Sequence, residues 1–216
     1  MKIYAMPAAG RIEAVLFDMD STLYTHDEYA AFQIESPIRR FAEIRRVPFE
    51  TARSEIEAYR AEWARSHGGA ALSLGNALEY FGISLTEIVK WREELYDPAD
   101  FLGKDERLRG VLEELKKSCA LAVVTNNPVL AARKTLAALG VAHCFSVIVG
   151  LDTCMVSKPH EAPFLKAASA CGATPHTCLA VGDRYDIDIA VPLKLGMGGI
   201  VVDGVEDVYR LLATRL

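Results

Sequence analysis

The sequence is poor in features that mark membrane, nucleic-acid-binding and secreted proteins. No uncharged apolar stretch reaches the roughly 18 to 20 residues that a membrane span needs, so we expect no membrane segment and a cytoplasmic protein. The formal net charge of the 216 residues is -5. This charge argues against nucleic acid and anionic membranes as main partners, because those surfaces recruit basic proteins.

Cysteine and histidine are few, and neither occurs in a pattern that binds zinc. The five cysteines include no CxxC pair, and the five histidines form no HExxH motif. We therefore expect reduced cysteines packed in the core and no zinc site. The length of 216 residues allows one domain with an insert or two small domains.

Five short apolar runs recur along the chain, each followed by polar residues or glycine. Runs this short and this apolar suit strands that are covered on both faces. From about Phe101 onward they alternate with helix-patterned segments, which predicts an α/β fold with a parallel sheet and helices on both sides. The runs are AVLF before Asp18, LAVV before Thr125, VIV before Gly150, LAV before Gly182 and IVV before Asp203.

One long interval breaks this alternation. No strand signal occurs over residues 25–96, so we predict a helical cap domain there, inserted into an α/β core domain of residues 1–24 and 97–216. Ligands of open parallel sheets bind beyond the carboxyl ends of the strands, so an insert after the first strand would form a lid over the site. Its helix-compatible stretches are broken at Pro37, Pro48, Gly68-Gly69 and Gly82.

Two aspartates follow the first apolar run, in the stretch AVLFDMDSTLY. In extended chain, residues i and i+2 point to the same side, so Asp18 and Asp20 would face a common space. Two close carboxylates are tolerable mainly when they share a cation or one is protonated, and oxygen ligands of this kind suit Mg²⁺. A solvated turn is the alternative interpretation of this pair alone, because aspartate and serine are common in turns.

Polar residues follow other predicted strands too. Each has an ordinary structural explanation taken singly, such as an acidic helix start that complements the helix dipole. Together and in this order they supply a nucleophile, hydroxyl and amide donors, a cation and further metal ligands, which is the set that phosphoryl transfer needs. They are Thr125 and Asn126 in VVTNN, Lys158 in SKPHEAPF, and Asp183, Asp186 and Asp188 in VGDRYDIDIA.

These four segments resemble the motifs of the haloacid dehalogenase-like (HAD) superfamily, in order and over the whole chain. DMDST resembles the DxDxT motif, VVTNN the second motif, Lys158 the third, and GDRYDID the fourth, GDxxxxD. The resemblance implies a three-layer Rossmann-like fold with the helical insert as a type 1 cap. Within the superfamily the chain is most similar to small phosphatases grouped with pyrimidine 5'-nucleotidases and phosphoglycolate phosphatases.

The resemblance also implies roles for the motif residues. Asp18 would attack phosphorus and form an aspartyl-phosphate, and Asp20 would protonate the leaving alcohol and then activate water. Thr125 and Lys158 would hold the transferring phosphoryl group, and Thr22 and Asn126 would add phosphate contacts.

The metal implied by the resemblance is Mg²⁺. Asp18, the main-chain carbonyl of Asp20 and Asp183 would bind it, and Asp188 would support that shell. Asp186 falls outside the motif positions and is interpreted as a loop charge.

The expected activity is hydrolysis of a small phosphorylated metabolite, with a nucleoside monophosphate ranked before phosphoglycolate. Dehalogenases of the superfamily generally lack an acid at the position of Asp20, which favours a phosphatase. The alternatives are a phosphorelay receiver, which lacks the insert and the fourth motif, and a degenerate member that only binds. A monomer and a homodimer are both compatible with the sequence.

The insert offers two weaker candidates for substrate contact, His67 and Gly68 in RSHGGA. Adjacent glycines allow a loop to approach a ligand closely. A simple turn between helices is the competing interpretation.

Overall fold

The structure is a computed structural model that describes residues 1–69 and 71–214. The chain divides into two compact units. We call Met1–His26 with Asp97–Leu216 the α/β unit, and Asp27–Tyr96 the helical unit. Within the described residues, no helix is both long and apolar enough to cross a membrane.

The α/β unit is built on a six-stranded sheet with the order β1-β6-β5-β2-β3-β4. All neighbouring pairs are parallel except β1 and β6, which are antiparallel. The predicted α/β fold with a mostly parallel sheet is therefore confirmed. The strands are β1 (Lys2–Ala5), β2 (Ala14–Phe17), β3 (Ala120–Val124), β4 (Val147–Val149), β5 (Cys178–Gly182) and β6 (Gly198–Val201).

Helices connect the parallel strands. Helix α8 (Glu161–Ala170) packs on one face of the sheet, where Phe164 and Ala167 share a buried cluster with Leu16. Alternate residues of β2 point to the opposite face, where Phe17 lies edge-on to Phe145. The helices of this unit are α5 (Glu106–Leu115), α6 (Val129–Ala138), α7 (Leu151–Cys154), α8 (Glu161–Ala170), α9 (Ala190–Lys194) and α10 (Val205–Val208), with a π-helical turn at Tyr185–Ile189.

Strand β1 is absent from the sequence-based prediction. It has four residues at the edge of the sheet, and the side chains of Lys2, Ile3 and Tyr4 are exposed. A short strand with no buried face leaves neither a continuous apolar run nor an alternation, so the pattern that identified the other five strands does not occur.

The helical unit has its own apolar core. Phe41, Ile56, Leu78 and Ile88 are fully buried within one cluster, and Trp91 joins them. The buried side chains of this unit thus form a hydrophobic core among its own helices. Its helices are α1 (Asp27–Arg45), α2 (Phe49–Ser66), α3 (Leu74–Tyr80) and α4 (Leu85–Leu95).

Helix α1 continues through Pro37, so the predicted break at that residue is wrong. A proline inside a helix lacks the N–H that would bond the carbonyl four residues earlier, which here belongs to Gln33. The Tyr96 hydroxyl donates to that carbonyl at 2.7 Å. A side chain distant in sequence thus offsets part of the cost of the proline, which local sequence rules do not reveal.

Candidate active site

Three predicted site residues follow adjacent parallel strands. β2 lies between β3 and β5 and is parallel to both. Asp18 comes directly after β2, Thr125 directly after β3 and Asp183 directly after β5. Because the carboxyl ends of parallel strands meet at one edge of the sheet, these residues lie at the same edge.

Lys158 joins this group from the loop before α8. Its side chain is almost fully buried, and its Nζ lies 2.5 Å from Asp18 Oδ1 and 2.6 Å from Asp188 Oδ1. A buried lysine is stable in this position only because two buried carboxylates partner it. The structure therefore brings the first, third and fourth predicted motifs into direct contact.

Asn126 holds the main chain of Lys158. Its Oδ1 accepts from the Lys158 N–H at 2.6 Å, and its Nδ2 donates to the Lys158 carbonyl at 3.2 Å. The sequence had placed the Asn126 amide among the donors to phosphate. In the structure that amide engages the backbone of the lysine, so it fixes where the cation stands.

The π-helical turn after β5 places Asp188 beside Lys158. Asp188 Oδ2 also accepts from the Arg184 main-chain N–H at 3.1 Å. A Cβ atom at Gly182 would lie 2.4 Å from the Asp188 Cβ, closer than real Cβ contacts come. The glycine of the fourth motif is thus required by the close approach of its own aspartate.

Three carboxylates converge at this edge in a way that fits a divalent cation. One oxygen from each of Asp18, Asp183 and Asp188 lies within 4.8 Å of the others. Among the described residues, the buried Asp183 Oδ1 has no hydrogen-bond donor, and Arg184 Nε lies 3.5 Å from it. A buried carboxylate oxygen without a donor suits a metal ligand, and an all-oxygen set suits Mg²⁺.

Burial and charge crowding shift the pKa values of the group. Burial raises the pKa of Asp18 to about 7, against an opposing effect of Lys158 and with support from the neighbouring carboxylates. Burial likewise raises the pKa of Asp183. Burial alone would lower the pKa of Lys158, but Asp18 and Asp188 outweigh it and raise that pKa, so the lysine is charged. The carboxylate cluster therefore carries more negative charge than Lys158 alone neutralises.

Two threonines lie beside these groups. Thr22 is buried, and its hydroxyl donates to Asp18 Oδ2 at 3.3 Å. Thr125 is buried too, and its Oγ1 accepts from the Asn127 N–H at 3.1 Å. Both hydroxyls thus help to shape the loops that follow β2 and β3.

Asp20 lies outside the three-carboxylate cluster, but its charge is among those that raise the pKa of Asp18. Its carboxylate accepts hydrogen bonds from the Tyr24 hydroxyl and from Asn127 Nδ2, the latter at 2.9 Å. Neither Tyr24 nor Asn127 is among the residues predicted from the sequence. The only signal available was their place at the ends of AVLFDMDSTLY and VVTNN.

The two candidates in the insert lie in the helical unit, at the end of α2. The exposed His67 ring stacks on Trp63, with 3.9 Å between ring centroids, and its Nδ1 lies 2.8 Å from the Trp63 carbonyl oxygen. Gly68 follows with a positive φ of 65°. The backbone here adopts a turn that glycine accommodates without strain.

The five cysteines are free; Cys144 and Cys178 are buried, and the other three are half-buried. Burial raises the pKa of Cys119 to about 11 and that of Cys178 to about 12. Thiols with such pKa values stay protonated and are poor nucleophiles. Both residues therefore serve packing.

Comparison with known proteins gives matches over most of the chain. A family model described as haloacid dehalogenase-like hydrolase matches residues 12–196. A phosphoglycolate phosphatase of Mannheimia succiniciproducens is 32% identical over 185 residues, which cover 79% of this chain and 77% of that protein. A glyceraldehyde 3-phosphate phosphatase of Methanopyrus kandleri is 29% identical over 199 residues, covering 86% and 82%.

Solved structures share the fold. The magnesium-bound HAD-hydrolase YfnB of Bacillus subtilis superposes with a TM-score of 0.60 at 17% identity, covering 94% of this chain and 99% of that one. At this identity the likeness concerns the fold. The site residues must be assigned from their own geometry.

Proposed function

Because this chain belongs to the haloacid dehalogenase-like hydrolases, we propose that it is a Mg²⁺-dependent phosphatase of small phosphate monoesters, working through an aspartyl-phosphate on Asp18. The family match and the phosphatase relatives support the class of reaction. The metal, the intermediate and the substrate rest on the geometry of the site and on resemblance.

The contact set around Lys158 carries the proposal. Asp18 stands at the end of the central strand, bonded to a buried cation that also neutralises Asp188. As negative charge develops on the phosphoryl oxygens, the Lys158 ammonium group would attract these oxygens in addition to its carboxylate partners. Lysine is almost never fully buried unless it is paired, so a lysine buried between two carboxylates is not a feature of an ordinary surface turn.

The chemistry would proceed in two displacements. The carboxylate of Asp18 attacks phosphorus, and the ester oxygen leaves with a proton from Asp20, giving an alcohol and an aspartyl-phosphate. Asp20, now a carboxylate, takes a proton from water as the water oxygen attacks phosphorus. Inorganic phosphate leaves and Asp18 is regenerated.

The other motif residues would support these steps. Asp18, Asp183 and Asp188 would hold Mg²⁺, with the main-chain carbonyl of Asp20, and the bound ion would supply positive charge to the phosphate. Thr125 would contact the phosphoryl group. Thr22 would complete the site beside Asp18, and Asn126 would do so through the position of Lys158. The roles of His67 and Gly68 as substrate contacts stay predictions from the sequence.

Asp20 favours phosphate esters over haloacids as substrates. A halide leaves without receiving a proton, whereas the alkoxide of a phosphate ester needs one. Of the two substrate classes, we rank phosphoglycolate-like esters first. The support is that relatives of this name recur among the proteins similar to the chain. Nucleoside monophosphates come second.

A panel assay tests the proposed function. We expect the purified chain to release phosphate from p-nitrophenyl phosphate and from at least one of phosphoglycolate, glyceraldehyde 3-phosphate and nucleoside monophosphates. Chelation of Mg²⁺ should stop the release, and added Mg²⁺ should restore it. A protein that binds Mg²⁺ but hydrolyses no member of the panel would be a binding or signalling module instead.

Binding of Mg²⁺ should depend on pH through Asp18. Its pKa is raised to about 7 in the metal-free protein, chiefly by burial, so below that pH the metal must displace a proton. We therefore expect affinity for Mg²⁺ to rise as pH increases toward about 7 and then to level off. Titration calorimetry in buffers of different ionisation enthalpy measures both the affinity and the proton released.

The same pKa fixes the sign of a stability effect. The unfolded chain releases the Asp18 proton near the ordinary pKa of 3.8, and the metal-free native protein only near 7. The native state thus binds more protons between these values, and stability falls as pH rises through that range. Asp18→Asn should remove this component from both profiles. Mg²⁺ affinity that is flat with pH in the wild type would contradict the assignment.

A further inference from the structure

Both oxygens of the Asp20 carboxylate accept hydrogen bonds, and the donors come from two different strand ends. The Tyr24 hydroxyl donates to Oδ1, and Asn127 Nδ2 donates to Oδ2 at 2.9 Å. Two donors on opposite oxygens restrict rotation of the carboxylate about its Cβ–Cγ bond. The orientation of Asp20 is thus set by two side chains to which the motif resemblance assigns no role.

Tyr24 is fixed by the loop that follows β2. The N–H groups of Thr22 and Leu23 both donate to the Met19 carbonyl, which closes a tight turn. Ser21 adopts a left-handed conformation with φ of 58° within it. The Tyr24 side chain is 5% exposed, and its hydroxyl meets the carboxylate four residues earlier. A buried tyrosine hydroxyl needs such a partner.

Asn127 is fixed from the neighbouring strand end. Its N–H donates to Thr125 Oγ1 at 3.1 Å, and its carbonyl accepts from the Leu151 N–H at 3.0 Å. Gly150 allows this approach, because a Cβ there would lie 2.7 Å from the Asn127 carbonyl oxygen. The asparagine backbone is therefore held on both sides, and its amide points to Asp20.

We infer that Tyr24 and Asn127 are positioning residues that hold the Asp20 carboxyl in line for proton transfer to the leaving oxygen. The inference rests on the proposed function, since it concerns how the acid of that reaction is aimed. A carboxylate oxygen has more than one acceptor position, so these hydrogen bonds do not block the transfer. They hold the oxygens while the proton passes to the alkoxide as the P–O bond breaks.

The two donors differ in what they can do during the reaction. The Asn127 Nδ2 group can only donate, so it favours an unprotonated Oδ2 at every stage. The Tyr24 hydroxyl can donate or accept, so it can follow a change in protonation of Oδ1. The pair thereby directs the mobile proton to the Oδ1 side of Asp20.

A pair of size-matched substrates isolates this role. The leaving group of p-nitrophenyl phosphate is a stable phenolate that needs little protonation, whereas benzyl phosphate must release an alcohol. The ratio kcat/KM covers the steps up to the aspartyl-phosphate, so it reports this protonation and not the later attack of water. A residue that positions the acid should affect the two substrates unequally.

Tyr24→Phe keeps the buried ring and removes only the hydroxyl. We expect it to lower kcat/KM for benzyl phosphate by about 10- to 100-fold and for p-nitrophenyl phosphate by at most about 3-fold. Asn127→Ala should show the same selectivity, and Asp20→Asn a larger loss of the same kind. Purified proteins with Mg²⁺ and initial-rate measurements suffice.

The α/β unit supplies a matched control, because the Tyr209 hydroxyl also donates to an aspartate, Asp105. Tyr209→Phe should leave both kcat/KM values at the wild-type level, and thermal unfolding compares the stability of the two tyrosine variants. Equal losses on both substrates in Tyr24→Phe, or no loss on either, would overturn the positioning role while Asp20→Asn still discriminates. A wild type inert on both substrates would instead overturn the proposed function.

Discussion

Replacing Asp18 by asparagine should lower kcat for every hydrolysed phosphate monoester by at least about 10⁴-fold. The change removes the attacking oxygen of the proposed covalent step and keeps the size of the side chain. The amide of the Asp18→Asn variant cannot form an acyl phosphate, and the remaining groups can only assist direct attack by water. We expect a phosphorylated protein to be trapped by rapid acid quench in the wild type and to be absent from the variant.

The control for this substitution is Asp186→Asn, an identical chemical change at an exposed residue of the π-helical turn. We expect it to retain activity within about 2-fold, as surface substitutions usually do. Urea unfolding should show that Asp18→Asn is folded, with higher stability than wild type above about pH 7 when metal is absent. Turnover by Asp18→Asn at a rate near that of Asp186→Asn would rule out the covalent route.

Much of the site follows from a simple relation between sequence and sheet topology. A short apolar run that ends in a polar residue marks a strand end, and parallel strands place all such ends at one edge. This relation is why Asp18, Thr125 and Asp183 could be grouped from the sequence alone. Lys158 was predicted as a site residue from its place in the order of the motifs. Its contacts with two carboxylates are seen only in the structure.

The contacts of the individual site residues could not be predicted from the positions of strand ends. Asn126 and Asn127 are identical neighbours in sequence, yet one bonds the main chain of Lys158, 32 residues away, and the other the carboxylate of Asp20, 107 residues away. Which asparagine turns to which partner depends on the loop that follows β3 and on the approach of Gly150. Long-range contacts of this kind leave no periodic pattern.

Long-range contacts also account for the errors in the fold prediction. Pro37 is an ordinary helix breaker by local rules. The Gln33 carbonyl that it leaves without a helical donor accepts instead from Tyr96, 63 residues after Gln33. Strand β1 is recognised only through its pairing with β6. Local patterns thus identified the buried, repetitive elements, and tertiary contacts decided the others.

The largest effect on stability should come from Lys158→Met. The Lys158 side chain is 1% exposed, and its ammonium group lies between the carboxylates of Asp18 and Asp188, whose side chains are 3% and 2% exposed. Methionine fills a similar volume without the charge, so Asp18 and Asp188 would be left buried beside each other and without that cation. Breaking a buried pair by removing one partner costs about 3 to 5 kcal/mol. We expect the free energy of unfolding of the metal-free protein to fall by that amount at pH about 8.

An exposed ion pair of the same length provides the comparison. Lys117 Nζ lies 2.5 Å from Glu114 Oε2, but these side chains are 68% and 53% exposed. Lys117→Met should therefore cost at most about 1 kcal/mol, because solvent screens the pair. If the two lysine variants lost equal stability in urea unfolding, burial would not be what makes Lys158 important.

Two further measurements separate lost charge from lost packing at Lys158. Lys158 holds the pKa of Asp18 down, so in Lys158→Met that pKa lies above about 7 and Asp18 takes up a proton at higher pH than in the wild type. The deficit of Lys158→Met should therefore shrink as pH falls toward about 7 and stay constant below it. Adding Asp18→Asn to Lys158→Met should recover part of the lost stability, whereas a packing defect would persist in the double variant. Added Mg²⁺ should also restore stability, because bound metal replaces the missing positive charge. A deficit that neither low pH, Asp18→Asn nor Mg²⁺ reduces would mean that Lys158 stabilises the site by its shape alone.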